Sequence, residues 1–220
     1  RWYDGENKNR PFIFDLIKYI APTFNGHANQ FPKLSDEFEV TILKKMLKHN
    51  KTLSFFYTTR GDYIFYHSGG RYWRKAIGTC LSSHYKKIII DKDKSSIALC
   101  LLNSQLFYWY WISNSNCMDV VSREVDKLPV FKFEVETKKY DILAKKLLKS
   151  YFENVEDRSR TGEIISTIEI NFDIKKSKPI IDEIDTILAE HYGFTEEELD
   201  FIINYDIKYR MGKELEEEEE

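Results

Sequence analysis

The sequence predicts a mixed α+β domain, on three observations. Strand-period and helix-period stretches alternate irregularly along the chain, without the repeated strand-helix units of a doubly wound sheet. One run, Ile97 to Trp111, is apolar or aromatic almost throughout and marks a central buried helix. The last third carries paired helix signals, a proline near one start and a glycine at the stop. The expected architecture is a basic β-hairpin region, the central helix, and a helical C-terminal appendage.

Taken in order, Arg10 to Ile17 has the composition of a strand. Ser35 before Asp36 and Glu37 opens a helix, with Phe38, Ile42, Leu43, Met46 and Leu47 at helical spacing and an end near Asn50. Thr52 to Thr58 and Tyr63 to His67 are rich in aromatic and β-branched residues; Arg60-Gly61-Asp62 between them predicts a hairpin turn. Ile88-Ile89-Ile90 makes a short buried strand from Lys86 to Asp91.

The central run is too long for an ordinary strand and too short and polar in its middle to span a membrane. Asn103 and Gln105 within it are expected to be satisfied by a neighbouring strand or loop, and Phe107 to Trp111 to be core. A polar loop, Ser113 to Asn116, follows. Ser122 then caps a short helix that Pro129 ends. Val130, Lys132, Glu134 and Glu136 alternate with Phe131, Phe133 and Val135, the pattern of a half-buried strand.

Thr137 starts a helix striped by Tyr140, Leu143, Ala144, Leu147, Leu148 and Tyr151. Glu153 to Gly162 reads as a polar linker, and Ile168, Ile170 and Phe172 as alternate positions of a strand. Pro179 marks a helix start and Gly193 its stop, with Ile181, Ile184 and Leu188 on one face. Thr195 and Glu198 form a capping box for the last helix. Asp182, Glu183, Asp185, Glu190 and Glu196 to Glu198 are read as solvated faces and first turns.

Three cysteines, Cys80, Cys100 and Cys117, show no CxxC spacing and are expected to be reduced, as in the cytoplasm. Cys80 and His84 are four apart, enough for one helix face but short of a closed metal site. With no Met and no apolar leader at Arg1, the chain reads as a fragment of a longer one. The net charge of −3 conceals an asymmetry: residues 1–50 carry +2, 51–100 carry +6, 101–150 carry +2, and 151–220 carry −13. The basic excess lies between Lys51 and Lys87, a footprint expected of nucleic-acid contact, although a solvated face is the commoner explanation of lysine-rich segments.

Within that excess, Ser68-Gly69-Gly70-Arg71-Tyr72-Trp73-Arg74-Lys75 is the candidate contact segment. The glycines let backbone approach a phosphate or base edge; Arg71 can make a bidentate pair with guanine; Tyr72 and Trp73 can wedge or stack. The same residues also fit a Gly-Gly turn with an inward aromatic and solvated basic groups. Arg60, Lys86 and Lys87 suit phosphate contacts, since a lysine is a point charge without a planar fork. Asn114, Asn116 and Arg123 make a second polar element.

Leu101-Leu102-Asn103-Ser104-x-Leu106-Phe107-Tyr108 followed by Arg123-Glu124-Val125-x-x-Leu128-Pro129 resembles the target-recognition region of type IIG restriction-modification enzymes, the TaqI-like specificity domain. Tyr66 to Lys75 and Tyr192 to Asp206 agree with it, in the family's order. The resemblance, which covers roughly residues 60–210, implies a DNA-specificity domain over residues 1–152 with a helical extension packed on it over 153–214; residues 215–220 are a low-complexity acidic tail set apart from the fold. It implies double-stranded DNA as partner, with an adenine methyltransferase domain in the same polypeptide that uses S-adenosylmethionine, and magnesium if a nuclease domain is also present. The chain itself has no adjacent prolines for an Asn-Pro-Pro-aromatic motif, no G-x-G loop and no P-loop, so no cofactor or catalysis is expected of it. A type I specificity-subunit fragment, and a protein-interaction module docking through its acidic half, are the alternatives.

Overall fold

The computed structural model describes residues 32–35, 37–68, 76–133, 137–158, 169–172 and 174–205. The predicted strand at Arg10 to Ile17 lies outside them. The described chain has helices beside small antiparallel sheets, an α+β fold.

The first helix, α1 (Glu37–Leu47), buries Ile42, Leu43 and Met46, while Phe38 is left largely exposed. Strand β1 (Lys51–Thr52) leads into a 3-10 turn, Leu53–Phe56, where the sequence suggested continuous strand. Strand β2 (Tyr57–His67) then runs straight through Arg60-Gly61-Asp62, so the predicted hairpin turn is a bulge instead. Both Tyr57 and Asp62 pair with Ile90, and the residues between them bow out. The bulge needs Gly61: a Cβ there would lie 2.0 Å from the Ile90 carbonyl oxygen.

The partners of β2 are β3 (Ala76–Ile77) and β4 (Tyr85–Ile90), both antiparallel, in the order β3-β2-β4. Ile64 opposite Ile88 faces the core, so pleat alternation sends Tyr63, Phe65 and His67 to the outer face.

The apolar run is broken in two at Ser104, into α2 (Lys92–Asn103) and α3 (Gln105–Asn114). Ser104 takes an extended ψ of 157°, and its Oγ accepts from the Phe107 N–H at 3.0 Å. The next donors back, Gln105 N and Leu106 N, donate to the Asp185 carboxylate at 3.0 and 3.1 Å. A helix start buried this deeply is stable only if its N–H groups find acceptors, and these three do. Asp185 is therefore a buried cap, not part of a solvated face, and burial pushes its carboxyl up to about 7 against those two hydrogen bonds. Asn103 uses its whole amide: it accepts from Ala76 N and Tyr151 OH and donates to Ala76 O and Leu99 O, all within 3.2 Å. The Gln105 Oε1, by contrast, is buried without a hydrogen-bond partner.

Beyond the run, α4 (Ser122–Asp126) is capped from Val121, whose N–H donates to Glu124 Oε2 at 2.8 Å; Ser122 is already inside the helix. Strand β5 is only Pro129–Val130, paired with β1. Phe131 and Phe133 are buried with Lys132 exposed between them, as the predicted alternation has it, but Val130 is buried as well, and 134–136 lie outside the described residues. Helix α5 (Thr137–Glu153) buries the predicted stripe, with Leu148 half-buried. The predicted linker contains strand β6 (Val155–Arg158), which pairs with β7 (Glu169–Phe172).

Helix α6 (Ile174–Tyr192) starts ahead of Pro179, which sits inside it. It ends at Gly193, φ +70°, with Gly193 N donating to Glu190 O and Phe194 N to Ala189 O, a left-handed C-terminal closure. Helix α7 (Glu196–Ile203) has the predicted capping box. Glu198 is nonetheless buried, because it also accepts from Thr41 Oγ1 at 2.7 Å and pairs with Lys45, tying α7 to α1. Ile181, Ile184, Leu188 and Ile202 join the same core as α2 and α3. No described helix is long and apolar enough to cross a membrane.

Candidate nucleic-acid interface

Two elements meet at the end of β2. Ser68 is held to the β4 side, its N–H and Oγ both donating to His84 O at 2.9 and 2.8 Å. Its own carbonyl accepts from Val120 N at 3.1 Å, which joins the segment after α3 to this strand end. That segment is anchored by Trp111 Nε1 donating to Asp119 O at 3.3 Å. It turns at Cys117, a non-glycine residue at φ 59°, whose N–H donates to Ser115 Oγ. Asn116 is exposed there, its Oδ1 accepting from Met118 N at 3.0 Å.

Helix α4 is fastened to the inner face of β2 at two points. Tyr57 OH donates to Asp126 Oδ1 at 2.7 Å, and Tyr66 is hydrogen-bonded to Ser122. Burial pushes both phenols above their ordinary value, and Asp126 adds to the rise at Tyr57. They are anchors that stay protonated. Arg123 projects from this helix half exposed, 3.2 Å from buried Glu124. Only the arginine end of the pair is in solvent, so the guanidinium stays accessible while Glu124 is buried.

The structure brings Ser68, Asn116 and Arg123 to neighbouring elements. Gly69, Gly70, Arg71, Tyr72, Trp73, Arg74 and Lys75 lie outside the described residues; they follow directly from Ser68. Lys86 and Lys87 are both exposed on β4, on opposite faces: Lys86 opposes Tyr66, and Lys87 opposes Phe65 on the outer face.

Two candidates are placed differently from expectation. Arg60 is exposed in the bulge, toward the opposite end of β2 from Ser68, with its N–H on Thr58 Oγ1. Asn114 is the last residue of α3, not part of a loop, and its amide donates back to Tyr110 O at 2.9 Å. The bulge is a tertiary fact, since it depends on the pairing with Ile90.

Cys80 and His84 share no helix face; they sit in the irregular segment before β4, with Cys80 Sγ on Ser82 O. Among the described residues no group of three His, Cys, Asp or Glu could hold a metal ion. Tyr63, Phe65 and His67, read from the sequence only as strand, share the outer face of β2. The chain matches no protein-family model, no curated protein and no solved structure at a significant level.

Proposed function

We propose that this chain is a DNA target-recognition domain of the type IIG kind, providing sequence-specific duplex binding for an adenine methyltransferase domain that uses S-adenosylmethionine. The observation that carries the reading is the Val120 N to Ser68 O hydrogen bond at 3.1 Å. It sets the segment bearing Asn116, and the helix bearing Arg123, beside the strand end from which Gly69 to Lys75 departs. In this reading Arg71, in the basic glycine-bearing segment that continues the chain from Ser68, reads a base edge while Lys86 and Arg123 meet phosphates. The methyl transfer itself belongs to the other domain, which flips the target adenine while this one holds the site. The test is duplex binding titrated with salt: affinity is expected to fall linearly in log-log form with a slope set by the phosphates contacted. Absence of duplex binding by the full chain at low salt overturns the reading, as does incorporation of labelled methyl groups by this chain alone.

A further inference from the structure

We propose that the outer face of the β2–β4 ladder, centred on Tyr63 and Phe65, binds unpaired bases of single-stranded DNA by ring stacking. The proposal rests on the DNA-binding reading above, and adds a surface and a mode of contact that the basic segment does not supply.

The pleat puts Tyr63, Phe65 and His67 in one row along β2, on the side opposite Ile64 and Tyr66. Cross-strand register sets Ile89, Lys87 and Tyr85 beside them, in that order. Tyr63 is 53% exposed; Phe65, half-buried where it opposes the fully buried Ile77 of β3, has its ring centroid 6.3 Å away at an interplanar angle of 44°. The Lys87 ammonium stands 5.1 Å from the Tyr63 ring. His67 makes an edge contact with Tyr85 at 5.0 Å that continues the row.

A single exposed tyrosine on a sheet is ordinary. Rings at successive outward positions, with a lysine between them and no carboxylate on that face of either strand, are a different surface. The nearest acidic side chain in β2, Asp62, has the other parity and accepts from Ser95 Oγ at 2.7 Å. A polyanion with apolar rings of its own is complementary to both features. An acidic peptide would satisfy Lys87 and leave the rings in water, and an apolar protein surface would bury the ammonium. A duplex keeps its base faces stacked on one another, so rings of this kind are served by an unpaired strand. A domain that holds DNA while a base is flipped has such a strand next to it.

The test is binding of a labelled oligothymidylate to the full chain, followed by fluorescence anisotropy. Tyr63→Ala is expected to weaken binding about tenfold, and Tyr63→Phe to restore it, since stacking needs the ring and not the hydroxyl. Lys87→Ala is expected to lower the salt slope by about 0.7. Tyr63 is exposed, so the variant's unfolding midpoint is expected to stay at the wild-type value. Failure of the full chain to bind oligothymidylate, wild-type affinity in both Tyr63→Ala and Phe65→Ala, or tighter binding of oligouridylate each overturns the proposal. Duplex binding measured alongside keeps the two ideas apart. Loss of oligothymidylate binding in Tyr63→Ala, with no duplex recognition in any protein, supports the stacking face and overturns target recognition.

Discussion

The junction of α2 with α3 and the outer end of the β2–β4 sheet are both rich in polar groups, and they use them in opposite ways. At the junction, Asn103, Ser104 and Asp185 are buried and each is committed to specific backbone partners. At the sheet, Lys86 and Lys87 are exposed, and the Lys87 ammonium stands over the Tyr63 ring. A buried polar group without its partner costs the full desolvation penalty, so the junction specifies one structure. Exposed cations lose almost nothing by standing alone, so they are available to a ligand. Substitutions at the junction should therefore appear as lost stability with little direct effect on binding per folded molecule. Those at the sheet should do the reverse.

The sharpest break of that contrast is Asn103→Leu, which would strip Ala76 N and Ala76 O of their side-chain partner in the core. It is expected to cost about 3–5 kcal/mol in denaturant unfolding. Asp185→Ala strips two N–H groups at the start of α3 of their acceptor and is expected to cost about 2–4 kcal/mol by the same measurement.

Asp185 also makes the junction sensitive to pH. Its folded value of about 7 stands above the ordinary 3.8, so the folded chain holds this proton more tightly than the unfolded one. Its contribution to stability is fully present below about 3.8 and is lost as pH rises through about 7. Unfolding midpoints across that window are expected to fall with rising pH from this group, and Asp185→Asn to flatten that component; an unchanged slope in the variant would assign it to other groups.

Gly61→Ala lies between the two regions, since its Cβ would meet the Ile90 carbonyl; about 1–3 kcal/mol of destabilisation is expected, with the β2 bulge displaced. In binding, Arg71→Ala is expected to cost about 1–3 kcal/mol on the true site and little on other duplexes. Lys86→Ala is the smallest effect: near-neutral for stability, equally weakening on all duplexes, and about one unit off the salt slope. Equal losses from Arg71→Ala on cognate and random DNA would move Arg71 to the phosphate backbone.

The sequence by itself determined what depends on neighbours in the chain. The stripe of α5, the Gly193 stop and the Thr195–Glu198 capping box are local patterns with local causes, and each formed where it was read. Lys87 is exposed on the outer face as pleat alternation has it, whereas Lys86, opposite buried Tyr66, is exposed against that alternation. What only the tertiary structure decided depends on groups distant in sequence. The helix breaks at Ser104 because Asp185 arrives to cap the second half. Arg60 sits in a bulge, not a turn, because Ile90 pairs twice. Asp185 and Glu198 look like solvent-facing acids until α3 and α1 are packed against them. The Val120 to Ser68 hydrogen bond, which joins the segment after α3 to the end of β2, belongs to this second class. A hydrogen bond between distant segments leaves no periodic trace in either of them.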